Sequence, residues 1–239
     1  MRKIYHLIFL LISTGAIAQQ QWPEIGVKFG GGSSYLINMN VFNDESVKSP
    51  YSFGSYAGIK YGFNFSTSNG ITVDLLYSGF NQTYKSDNDS MSWDKKIHLS
   101  HIDLPILYRT FSELSYFEVG PQISYLTGAK ETFTSYLPGA EKFNYTTSDL
   151  TNFNAYNVAA LIGFGTALYG RDNFFVMLEF RGIYGLLDIY SHTGPYGDNY
   201  PYDTFPAYQS GETPKPYKAS TMLSGQLGVE INYNFRSFH

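Results

Sequence analysis

The chain has 239 residues, no cysteine, and only 15% charged residues against 18% aromatic ones. That length suits one domain of the larger all-β kind. The missing cysteine excludes disulfide staples and a lipid-modified cysteine anchor. Soluble domains run nearer to about a quarter charged. Here 22 Tyr and 19 Phe replace that charge, which favours pleated, half-buried surfaces.

Residues 1–18 read as an export signal. Arg2 and Lys3 give a positive start, Ile4 to Ile12 an apolar run, and Ala16-Ile17-Ala18 the small-residue pattern at which cleavage after Ala18 is expected. The apolar run is too short for a good spanning helix. The rest of the chain, 19–239, is expected to form one β-barrel domain. Without Arg2 and Lys3 the 16 basic residues fall to 14 against 20 acidic ones, a net charge of −6. This is no basic footprint for nucleic acid. No later run is long and apolar enough to cross a bilayer as a helix, so only a closed barrel would satisfy every backbone group in lipid.

Period-two alternation is the dominant signal after the leader. It predicts eight strands near 24–39, 52–65, 71–85, 95–111, 115–129, 154–169, 174–190 and 219–235. The connections 66–70, 112–114 and 170–173 are tight, whereas 40–51, 86–94, 130–153 and 191–218 are long. Short turns on one side and long loops on the other mark an outer-membrane barrel. The predicted fold is therefore all-β: an eight-stranded antiparallel up-and-down transmembrane β-barrel with short periplasmic turns and long extracellular loops.

The two faces of these strands sort by chemistry. One carries Val27, Ile59, Leu75, Leu104, Ile106, Val119, Ile123, Ile162 and Phe164. Aromatic belts flank it, Phe63, Tyr108, Phe117, Phe174 and Tyr233 at the short-turn end and Tyr35, Tyr77, Tyr125, Tyr156 and Tyr184 toward the long loops. That is the girdled lipid face of a spanning barrel. The other face collects Lys28, Lys60, Arg109 and Arg181 against Asp74, Asp103, Glu118, Glu179 and Glu230, with His101 beside them. Eight strands leave an interior just wide enough for side chains to fill. A packed polar network is expected in the lumen, not a pore, and near-balanced charge is what burial demands. Pro105 removes a ladder donor inside the fourth strand, which predicts a bulge or local break there.

Chemistry could reside in His98, Ser100, His101 and Asp103, but alternation sends His98 and Ser100 to one face and His101 and Asp103 to the other. A nucleophile needs its base within hydrogen-bond reach, and no Gly-x-Ser-x-Gly elbow is present. Asp87, Asp89 and Asp94 have suggestive spacing for calcium, yet lack the loop glycine and terminal glutamate of an EF-hand. No catalytic residue, metal site or cofactor is expected. In the 191–218 loop, Tyr196, Tyr200, Tyr202, Phe205, Tyr208 and Tyr217 alternate with five prolines. Such a segment would fold over the barrel mouth as a lid or dock a partner. Phe133, Tyr136, Phe143 and Tyr145 of the 130–153 loop would lie on the same side.

Gly26-Val27-Lys28-Phe29-Gly30-Gly31-Gly32 resembles the Gly-rich first strand of PorT-like outer-membrane β-barrel proteins of Bacteroidota. His101-Ile102-Asp103-Leu104-Pro105-Ile106-Leu107-Tyr108-Arg109 looks like that family's fourth strand, Val119-Gly120-Pro121 like its fifth, and Gly228 to Phe235 like its last. The resemblance spans nearly all of the mature chain and marks architecture more than activity. It implies a non-catalytic accessory or anchoring subunit of an envelope complex serving secretion, gliding or barrel assembly. Fold analogy alone carries that step. The alternatives are a surface ligand-binding or adhesion barrel acting through its Tyr/Pro-rich loops, an outer-membrane lipid A-modifying enzyme and, weakest, a pore. Expected partners are outer-membrane lipid, lipopolysaccharide and other envelope proteins.

Overall fold

A computed structural model describes residues 21–42, 47–88, 91–136, 142–191 and 218–235. The expected leader 1–18 and the residues Asp89, Tyr196, Tyr200, Tyr202, Phe205, Tyr208 and Tyr217 lie outside that set.

The strands are β1 (Trp22–Ile37), β2 (Ser52–Asn64), β3 (Asn69–Asn88), β4 (Met91–Phe111), β5 (Ser115–Tyr136), β6 (Phe143–Thr147), β7 (Tyr156–Arg171), β8 (Phe174–Gly185) and β9 (Thr221–Asn234). A single helical turn, α1 (Met39–Phe42), follows β1. Each strand pairs antiparallel with its neighbour in the chain, except that β5 pairs with β7 on the ring while β6 folds back on the far end of β5. The pairings β1–β9 and β4–β5 close an eight-stranded ring.

The tight connections are built as their residues suggest. Ser66 Oγ accepts from the Ser68 amide at 3.2 Å and caps the β2–β3 turn. Asp172, between β7 and β8, has φ 51°, a left-handed conformation that Asp tolerates through local side-chain hydrogen bonding.

Pairing order and alternation together turn the ring inside out relative to a soluble protein. Ile25, Val27, Ile59, Leu75, Ile106, Val119, Ile123 and Ile162 are exposed on the outer wall, and Lys28, Asp74, Arg109, Glu118, Arg181 and Glu230 are buried within. Lipid is the solvent that makes this arrangement favourable.

Three departures from the expected layout matter. Residues 86–88 and 91–94 are strand and not loop, because β3 and β4 pair out to Asn88 and Met91, with Lys85 opposite Asp94 and Asp87 opposite Ser92. The 130–153 stretch likewise holds the last residues of β5 and all of β6. At Pro105 the expected local break is present, with the ladder to β3 interrupted at Leu104 and Pro105 and register kept. A bulge that was not expected lies at Thr127, unpaired opposite the Ser100–His101 step. A second extra residue, Leu168, separates Ala167 from Tyr169 in β7. It sends both Leu168 and Tyr169 outward to the periplasmic belt, where Tyr169 packs edge-on against Phe174 with ring centroids 6.5 Å apart.

Candidate functional site

The lumen is organised in layers stacked along the barrel axis. Nearest the periplasmic end lies the ionic layer. Lys28 Nζ sits 2.9 Å from Asp74, 2.9 Å from Glu179 and 3.0 Å from Glu230. Lys60 bridges Glu24 at 2.7 Å and Glu230 at 2.5 Å. Arg109 grips Glu118 through Nε at 3.1 Å and Nη2 at 2.7 Å, and Glu230 through Nη1 at 2.9 Å and Nη2 at 3.0 Å. Arg181 reaches Asp74 at 2.6 Å, Glu118 at 3.1 Å and Glu179 at 2.6 Å.

Two tyrosines cross-link the layer. Tyr116 donates to Glu179 at 2.7 Å and to Glu230 at 3.1 Å, and its ring lies under the Arg109 guanidinium at 3.7 Å. Tyr56 donates to Glu179 at 3.2 Å. Space for both rings comes from glycines on facing strands, because a Cβ on Gly165 would overlap the Tyr116 ring and one on Gly228 would overlap the Tyr56 hydroxyl. Multidentate partners of this kind are what let a charge cluster survive burial.

The structure thus brings together eight of the residues expected in the lumen network: Lys28, Lys60, Asp74, Arg109, Glu118, Glu179, Arg181 and Glu230. It adds Glu24, Tyr56 and Tyr116, which the sequence reading passed over although alternation places them on the faces of Lys28, Lys60 and Glu118. His101 and Asp103 are buried but do not join the layer. Asp103 accepts from Ser78 Oγ at 2.6 Å, and both line a small polar gap of about 30 Å³ with Gln122, Ser124 and Asn157.

Above that gap the lumen is mainly apolar. Leu36, Phe80, Tyr84, Trp93, Ile97, Leu99, Leu126, Phe153 and Tyr190 pack into an apolar plug at the outer end. Within it one buried pair, Lys95–Glu131 at 3.0 Å, bridges β4 and β5. The expected all-polar lumen is therefore only its periplasmic half. Its outer half fills as a soluble core does, because α1, β5 beyond its bulge and the segment ending at Tyr190 fold inward over it.

These layers obstruct the lumen twice. Below the ionic layer a vestibule of about 330 Å³ opens to the periplasmic side between Trp22, Glu24, Tyr116, Phe175 and Met177, and its floor is Arg109 and its partners. The expected result in planar bilayers is no stable conductance from the folded protein. Large, persistent steps would contradict both layers.

The sequence of residues 17–191 matches a family model described as "Outer membrane protein beta-barrel domain". The chain belongs to that family. Membership agrees with the girdled wall and inverted burial, and it places this barrel in the outer membrane. A search of curated proteins found no match. Among solved structures, the barrel is similar to the attachment invasion locus protein Ail of Yersinia pestis (12% identity, TM-score 0.36, 90% of this chain and 99% of that one). It is also similar to Neisserial surface protein A (12% identity, TM-score 0.35, 87% and 96%). A third likeness is the outer membrane protein OprG of Pseudomonas aeruginosa (10% identity, TM-score 0.36, 92% and 97%).

The remaining sequence candidates of this outer-membrane barrel separate as alternation requires. His98 and Ser100 face outward, with Ser100 Oγ 3.4 Å from His98 Nε2, while His101 and Asp103 face the lumen across the wall. Asp87 and Asp94 stand on paired strands, and Asp94 lies 3.8 Å from Lys96. Among the described residues no group of three or more His, Asp or Glu is arranged to hold a metal ion.

A further feature was not expected from the sequence. β3, β4 and β5 continue past the ring and, with β6, form a raised sheet. From Leu126 to Tyr136 β5 rises beyond its last pair with β7, Tyr125–Tyr156, a reach of roughly 35 Å at about 3.4 Å per residue. Among the described residues its border is β6, where Phe143, Asn144, Tyr145 and Thr146 are all exposed.

Proposed function

We propose that this protein is a non-catalytic outer-membrane anchor that docks another envelope component on its raised sheet. It would reach the membrane after losing residues 1–18, and the PorT-like resemblance suggests a secretion, gliding or assembly complex as its setting. The observation that carries this reading is the exposed edge of β6. Among the described residues nothing pairs with the outer edge of β6, and an unpaired edge strand is a ready template for pairing with another chain. Here Phe143 is 57% exposed and Tyr145 50% exposed on such an edge, beside a Tyr136 ring held under the Lys142 ammonium at 5.0 Å. The doubly obstructed lumen supports the same reading, since it leaves the outer surfaces as the place where work is done.

The test is affinity capture of the full-length protein after mild detergent extraction, at native abundance. A specific partner should co-purify with the wild type and be lost from F143S/Y145S, while heat-modifiable gel migration stays normal. Recovery of the barrel alone would overturn the proposal. Retention of the partner by F143S/Y145S, with loss on deleting 195–215, would move the function to the Tyr/Pro-rich loop and favour a surface-binding barrel.

A further inference from the structure

One side of the periplasmic vestibule is a row of hydrogen-bond acceptors. Strand register sets them in an arc around Glu24 of β1. That residue lies opposite Asn234 of β9 and diagonal to Asn232, and toward β2 it lies opposite Gly62 and diagonal to Asn64. Opposite residues hold their Cβ atoms roughly 5 Å apart and diagonal ones about 7–8 Å apart, so the four polar side chains share one corner of the cavity.

Asn64 is 1% exposed and Asn232 5% exposed. Among the described residues nothing donates to the amide oxygens of Asn64, Asn232 or Asn234. The orientation of Asn232 is fixed, because its nitrogen donates to Glu230 and turns its oxygen away from that partner. A buried acceptor without a donor is costly, and three beside one cavity mark a place where a donor belongs. Glycines build the corner. A Cβ on Gly26 would overlap the Asn232 amide oxygen, one on Gly62 the Glu24 carboxylate, and one on Gly70 the Asn64 amide oxygen. Each polar group therefore lies back against the wall, and the space of about 330 Å³ in front stays open.

Charge decides what kind of donor fits. The layer's four cations meet five carboxylates once Glu24 is counted. Of these ions only Glu24 and Arg109 line the vestibule. Arg109 is committed, with four hydrogen bonds to Glu118 and Glu230 and its face on the Tyr116 ring. Glu24 meets Lys60 and Arg109 through one oxygen, Oε1, at 2.7 Å and 3.8 Å. Glu113, exposed in the β4–β5 turn, adds a second carboxylate at the mouth. The vestibule therefore favours a cation. With Oε1 taken, Glu24 cannot clasp a guanidinium through both oxygens, whereas an ammonium offers three donors to separate acceptors. Phe175 and Met177 line the same cavity with apolar surface that suits an alkyl stem.

We propose that the vestibule binds a primary ammonium group on an alkyl stem, from a free diamine or a lysine side chain of a periplasmic polypeptide. Glu24 would supply the counter-charge, the three asparagine oxygens the remaining acceptors, and Phe175 and Met177 the cover of the stem. This proposal is independent of what docks on β6.

The test is calorimetric titration of the full-length protein in phosphatidylcholine nanodiscs, with empty nanodiscs as the blank for partitioning into lipid. The probes are pentylamine, pentanol, 1,5-diaminopentane and Nα-acetyl-lysine amide, and folding is followed by heat-modifiable migration. The wild type should bind pentylamine more tightly than pentanol by roughly tenfold. Glu24→Gln, which keeps the shape and removes the charge, should weaken pentylamine binding by roughly tenfold or more. Asn64→Ala should weaken it by roughly fivefold, the worth of one hydrogen bond. Tighter binding of 1,5-diaminopentane than of Nα-acetyl-lysine amide would support a free amine as the occupant, and the reverse order a lysine side chain. Equal binding of pentylamine and pentanol would overturn the proposal, because a merely apolar cavity takes both alike. Undiminished binding of pentylamine by folded Glu24→Gln would overturn it as well.

Discussion

Arg109→Met is expected to destabilise the folded barrel by about 3–5 kcal/mol, the usual cost of removing one partner from a buried ionic cluster. Arg109 alone holds four charge-assisted hydrogen bonds, two to Glu118 and two to Glu230, and covers the ring of Tyr116. The layer contains Lys28, Lys60, Arg109 and Arg181 against Glu24, Asp74, Glu118, Glu179 and Glu230, so it begins with one anion in excess. Losing a cation deepens that excess to two, in a place where water cannot compensate. Losing a carboxylate moves the layer toward balance. The contrast sharpens the expectation: Glu24→Gln, at the vestibule rim with Lys60 as its near partner at 2.7 Å, should cost clearly less than Arg109→Met, because Lys60 keeps Glu230 and the layer moves to charge balance. Adding Glu118→Gln to Arg109→Met should recover part of the loss. Urea titration in lipid vesicles, followed by tryptophan fluorescence, measures all three. Equal effects for Arg109→Met and Glu24→Gln would mean that charge excess does not govern the layer.

Most of the ring was legible in the sequence because lipid outside and polar groups inside force strict alternation, and alternation needs no partner to be seen. The predicted 52–65 strand became β2 (Ser52–Asn64) and the predicted 115–129 strand became the membrane part of β5. The raised sheet was not legible. Beyond the bilayer the solvent is water on both faces of β6, so Phe143 to Thr147 shows no two-sided pattern, and its existence depends on pairing with Glu131 to Ser135. The bulge at Thr127 was hidden for a related reason. A single unpaired residue is defined by the partner strand, and Pro105, the visible irregularity, only interrupts hydrogen bonds to β3. Glu24 was not counted among the lumen charges, yet its pairing opposite Gly62 carries it into the lumen. The apolar plug also escaped notice. Leu36, Trp93, Ile97 and Leu99 alternate correctly, but whether an inward apolar side chain meets charge or other apolar groups is decided by strands distant in sequence.

The second large effect concerns the glycines that make room for the tyrosines. Gly165→Val is expected to prevent normal closure or to destabilise the barrel by at least about 1–3 kcal/mol, the range for overpacking an interior that is already full. Its Cβ would overlap the Tyr116 ring. That ring cannot step aside without giving up its hydrogen bonds to Glu179 and Glu230 and its stacking on Arg109. β-propensity argues the other way, since valine suits a strand better than glycine. The contest is therefore between a local preference worth at most about 1 kcal/mol and a clash that disturbs the central cross-link of the layer, and the clash should win. A double-mutant cycle separates the two. In a Tyr116→Ala background the added methyl groups of Gly165→Val should become neutral or stabilising, giving a coupling of opposite sign to either single loss. If Gly165→Val costs the same with and without the Tyr116 ring, then Gly165 is required by its own backbone and not by the side chain laid across it.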